Sequence, residues 1–96
     1  MRGVPNYGVF APTKAAQRIL AQAIARELGP QGIHIIYINI EAAIDTPWTR
    51  VPFNSDKPDD FFSHPGAVAD EIFHVAHQDR STWSLDVELR PFGEKW

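Results

Sequence analysis

The residues best suited to chemistry are few. His74 and His77 stand three positions apart, with Asp70 and Glu71 just before them. On a helix that spacing puts two imidazoles on adjacent turns, where they could ligate a metal with Asp70 or Glu71. No third ligand falls in convincing register, so a solvated helix face is the stronger reading. His34 lies inside an apolar run and reads as a satisfied core or interface histidine. Thiolate chemistry and disulfides are excluded, because the chain contains no cysteine. Lys14, Arg18, Gln22 and Arg26 recur at four-residue steps and form a polar helix stripe.

The elements that must position these residues follow from periodicity. Residues 1–9 are rich in turn formers and read as a loop. A helix is expected over 10–28, with Pro12 in its first turn, where a missing N–H costs nothing. Ile19, Leu20, Ala23, Ile24 and Leu28 mark its apolar face, and Gly29-Pro30 is expected to stop it, Gly29 in the left-handed conformation. Residues 33–40 carry five isoleucines without clean alternation, which predicts a strand buried on both faces. Residues 41–64 form a long, lid-like connection. A second helix is expected over 65–77, with Val68, Ile72, Val75 and Ala76 facing inward and Ser63 or His64 as cap. Residues 83–89 alternate, with Trp83, Leu85, Val87 and Leu89 on one side and Ser84, Asp86 and Glu88 on the other, as in an edge strand.

Length and charge narrow the class. The 96 residues suit one small domain, and 44% hydrophobic with 22% charged content is ordinary for a globular chain. The net charge of -3 argues against nucleic acid. No apolar run reaches the roughly 20 residues of a membrane span. No signal peptide is evident, and a cytoplasmic protein is the expectation. Two strands alone make a poor sheet, since about three or more are needed for independent stability.

The run Phe10-Ala11-Pro12-Thr13-Lys14-Ala15-Ala16, continued by Ala25-Arg26-Glu27-Leu28-Gly29-Pro30-Gln31-Gly32-Ile33, resembles the short-chain dehydrogenases/reductases. That family places Tyr-x-x-x-Lys on a helix leading into a buried strand, then a Pro-Gly-x-x-x-Thr loop against the nicotinamide. Glu41-Ala42-Ala43-Ile44-Asp45-Thr46 stands at the loop, and Arg90-Pro91-Phe92-Gly93-Glu94-Lys95-Trp96 resembles the C-terminus of one reductase-like branch. The likeness extends over essentially the whole chain but corresponds to the C-terminal portion of a full-length member.

The resemblance implies an α/β fold: the C-terminal βαβ part of a Rossmann-like parallel sheet with a preceding long helix, lacking the N-terminal dinucleotide-binding half. It implies NAD or NADP as cofactor, with Lys14, Ile44 and Thr46 at cofactor positions and Lys14 as a catalytic remnant. Phe10 occupies the tyrosine position, and a phenyl ring has no ionisable O–H to serve as general acid or base. Tyr7, three residues earlier, is the available phenol, although a packing tyrosine is the stronger reading. No glycine cluster suited to a pyrophosphate occurs. Trp48, Phe53, Phe61 and Phe62 could line a substrate pocket beneath a lid, or cover a sheet face. The expectation is a reductase-like fragment without hydride transfer as an isolated chain, self-associating through the 12–28 helix or the edge of the 33–40 strand. A partner-binding module, or a small-molecule binding protein using the aromatic 41–64 loop, is the alternative.

Overall fold

The computed structural model describes residue 5 and residues 8–50 and 56–93. Its elements in chain order are helix α1 (Phe10–Leu28), strands β1 (Tyr37–Ile40) and β2 (Ala43–Ile44), helix α2 (Pro47–Arg50), strand β3 (Phe62–Ser63), helix α3 (Pro65–Ala76) and strand β4 (Asp86–Leu89). The chain is α/β with a long helix. β1 and β4 pair in parallel, with Tyr37 beside Asp86 and Ile40 beside Leu89. β2 and β3 form a second parallel pair, Ala43 beside Phe62, inside the connection read from sequence as a lid-like loop.

The end of α1 falls later than its glycine suggests. Gly29 stays right-handed at φ -54 and donates its amide to Ala25. A single 3₁₀ turn, Gly29–Gln31, follows with Pro30 near its start, where no N–H is needed. Gly32, at φ 84, takes the left-handed conformation instead, and its amide returns to the Gly29 carbonyl. Ile33 N–H then bonds the Leu28 carbonyl at 3.3 Å, closing the helix.

The first strand is shorter than the isoleucine run. Residues 33–36 lie outside it because a strand needs a partner, and β4 begins only at Asp86. His34 instead stacks on Trp83, ring centres 4.3 Å apart and planes nearly parallel, with Nε2 3.0 Å from the Ser84 carbonyl. Of β1 only Tyr37 is fully buried, so the expectation of two buried strand faces is corrected. The last strand is trimmed to Asp86–Leu89, and its alternation holds: Asp86 and Glu88 are exposed, Val87 and Leu89 half-buried. α3 starts from an extended His64 without a side-chain cap. Ser63 is committed to the β2–β3 pair, and Pro65 removes one of the amides a cap would serve.

In a parallel pair, side-by-side residues share a face. Tyr37, Asn39, Asp86 and Glu88 therefore share one face, and Ile38, Ile40, Val87 and Leu89 the other. α1 lies against the more polar face. The Tyr37 hydroxyl donates to the Lys14 carbonyl at 3.3 Å, and Arg18 Nε donates to Asp86 at 2.6 Å. Ala15, Arg18, Gln22 and Ala25 are accordingly the partly covered side of α1. Of the expected inner face, Ile24 and Leu28 are half-buried, whereas Ala23 is exposed and Ile19 and Leu20 are 58% and 59% exposed. α3 shows a milder version of the same shift: Val75 is buried and Val68 half-buried, but Ile72 and Ala76 are exposed. The buried apolar residues among those described are Tyr37, Phe62 and Val75.

Candidate functional site

The implied cofactor positions lie on two elements. Lys14 is in the second turn of α1, Ile44 ends β2, and Thr46 directly precedes α2. Lys14 is exposed, and its Nζ sits 5.6 Å from the centre of the Phe10 ring, one turn back. A cation over an aromatic face at that range is a weak attraction, and it needs no ligand. The helix brings positions 10 and 14 together as the i, i+4 rule requires. The partner of Lys14 is thus a phenyl ring with no proton to exchange. Tyr7, the alternative phenol, lies outside the described residues, as does Phe53.

The phenol that does approach Lys14 is Tyr37, which sequence reasoning passed over as one residue of an apolar strand. It is buried and reaches the backbone carbonyl of Lys14, not the ammonium. Its role is to dock the helix. Only the pairing of distant segments reveals it.

Around Thr46 the polar groups are already used. Thr49 Oγ1 is within 2.9 Å of the Thr46 hydroxyl and accepts from the Thr46 amide at 3.1 Å. It also lies 2.5 Å from the Ile44 carbonyl. This Thr-x-x-Thr turn opens α2. Asp45 beside it accepts two bonds from Arg50, at 2.6 and 3.0 Å, and Arg50 also reaches Asp59 at 3.0 Å. The Arg50 bonds hold the Asp45 carboxyl below its usual range against a smaller opposing effect of desolvation, with His64 adding to the attraction. The two carboxylates raise the Arg50 guanidinium, which also sits 4.3 Å above the Phe62 ring. Asp45, Arg50 and Asp59 thus tie together both ends of the segment expected as a lid. Sequence gave a partial signal, the acid five residues before the arginine, but not the second carboxylate.

Among the described residues no hydrogen bond or ion pair joins Lys14 to Ile44 or Thr46. Phe10 supplies no acid, and the Ile44 carbonyl and Thr46 hydroxyl are engaged by Thr49. These groups do not fit the cofactor chemistry that the resemblance implies, so no step is routed through a nicotinamide.

The other candidates disperse as well. His77 stacks on Phe73, centres 4.1 Å apart, with Nδ1 2.8 Å from the Phe73 carbonyl. No cluster of three metal-ligating side chains occurs among the described residues. Of the loop aromatics, Phe61 and Phe62 meet edge-to-face with centres 5.1 Å apart and Phe62 is buried, while Trp48 is 74% exposed. Among the described residues no helix is long and apolar enough to cross a membrane.

Comparison with known protein families, with curated proteins and with solved structures finds no match. The functional reading therefore rests on this chain's own residues.

Proposed function

We propose that this chain is an association module, similar in sequence to the C-terminal βαβ part of a Rossmann-like short-chain dehydrogenase/reductase, and that it does not transfer hydride unaided. The observation that carries the reading is the orientation of α1. Ile19 and Leu20 are more than half exposed, while the partly covered residues of the helix include Ala15, Arg18, Gln22, Ile24, Ala25 and Leu28. Water-facing apolar side chains on a regular helix are stabilised by a covering surface.

A second copy of this chain is the proposed cover, through α1 or through the open edge of β1. NAD or NADP remains the implied cofactor of the family. Phe10 at the phenol position and the engaged Thr46 are the reasons to place hydride transfer outside this chain's own capacity.

Light scattering on the 96-residue chain tests the reading. The expected mass is a multiple of 10.8 kDa, and the double substitution Ile19→Asp, Leu20→Asp returns it to that value. A monomer at high concentration, or an unchanged oligomer in the variant, would sink the α1 face as the interface. Titration with NADH separates the second element of the reading: saturable binding below the millimolar range would overturn it.

A further inference from the structure

Outside the cofactor positions a cleft of about 690 Å³ lies between the start of α3 and the end of β4. That volume is in the range of small-molecule sites. Its position follows a general rule of open parallel sheets, whose ligands sit beyond the carboxyl ends of the strands. β3 ends at Ser63 and β4 at Leu89, and both ends open into it.

The walls have a definite chemistry. Ala67, Val68 and Glu71 lie at helical spacing along one side of α3 and all line the cleft. The buried Phe62 ring and Leu89 supply further apolar surface, and Ala67 leaves room for a flat body. Glu71 is half-buried and has no hydrogen bond or ion pair among the described residues. His64 and Arg90, the basic lining residues, are exposed, where solvent and salt screen them more strongly than a sheltered carboxylate.

We propose that this cleft binds a small apolar primary amine, its hydrocarbon body against Phe62, Val68 and Leu89 and its ammonium on the Glu71 carboxylate. The amine supplies the donors that Glu71 lacks, and a charge-assisted bond is about twice as strong as one between neutral groups. The site is independent of α1 and of the association reading.

The test is a titration of the isotopically labelled full chain, followed by amide NMR shifts, with 2-phenylethylamine, 2-phenylethanol and 3-phenylpropionate as probes. They share an aromatic body and differ in charge. The amine is expected to shift Ala67, Val68, Glu71 and Leu89 and to bind about tenfold tighter than the alcohol. Glu71→Gln is expected to erase that preference, while Asp70→Asn, on the neighbouring exposed position, preserves it. Equal binding of the alcohol, tighter binding of the carboxylate, or amine shifts confined to other residues would overturn the proposal, as would no shifts at all. The comparison among probes needs only the unmodified chain, so it decides even if Glu71→Gln does not fold.

Discussion

The two long helices are held in different ways. α1 has 19 residues and buries none of them, whereas α3 has 12 and buries Val75. α1 is held by directional contacts, the Tyr37 hydroxyl on the Lys14 carbonyl and the Arg18 guanidinium on Asp86. α3 follows directly from β3 and contributes its own side chain to the core. Apolar burial is non-directional and scales with area, so it stabilises the α3 side without demanding one geometry. Polar ties on a partly exposed surface fix orientation and contribute less. α3 is thereby part of what folds the chain, and α1 is positioned by the fold with an apolar face left over.

Placing a charge in each helix exposes the contrast most directly. Val75→Asp buries an unpaired carboxylate and is expected to cost on the order of 5 kcal/mol, comparable with the whole stability of a small domain. Leu20→Asp, on the open side of α1, should change the dilute chain by less than about 0.5 kcal/mol. Urea unfolding at low protein concentration measures both, and equal losses would mean that Leu20 is packed after all.

Weakening the ties on the α1 side should have an intermediate effect. Tyr37→Phe removes one hydroxyl and is expected to cost about 0.5–1.5 kcal/mol. Arg18→Ala should accelerate amide exchange in the middle of α1 and leave α3 unchanged. Its effect on the unfolding midpoint should be smaller than that of Tyr37→Phe and should shrink further in salt. Uniform exchange acceleration in both helices would contradict separate docking.

The smallest effect expected is in acid. Asp45 titrates lower in the folded chain than in the unfolded one, so its contribution is complete above the ordinary carboxylate value of about 3.9 and is lost as pH falls through the depressed folded value. Asp79 behaves alike, lowered by the Ser81 hydroxyl and amide. Asp45→Asn should therefore flatten the loss of stability below about pH 4 while leaving the neutral-pH exchange pattern of α1 intact. An unchanged acid profile would show that the Arg50 bonds do not persist in solution.

Both helices were legible in sequence because helical periodicity and prolines near the first turn are local properties. The alternation of β4 was legible for the same reason. The strand over 33–40 was overextended because an apolar run reports burial and says nothing of where its hydrogen-bonding partner begins. The β2–β3 pair was missed because two-residue strands leave no periodic trace. At the candidate site, the exchange of phenol for phenyl at Phe10 is plain in the sequence. The engagement of Thr46 by Thr49 is a matter of turn geometry, and the spacing alone does not establish it.

Sequence by itself determined that residues 10–28 form a helix with an apolar stripe and that Lys14 faces a ring without a hydroxyl. Only the tertiary structure decided which side of that helix meets the sheet. Arg18 and Asp86 lie 68 residues apart, and a stripe on a helix cannot specify a neighbour at that distance. Their pairing turns Arg18, in the middle of the polar stripe, toward the sheet and leaves Ile19 and Leu20 facing out.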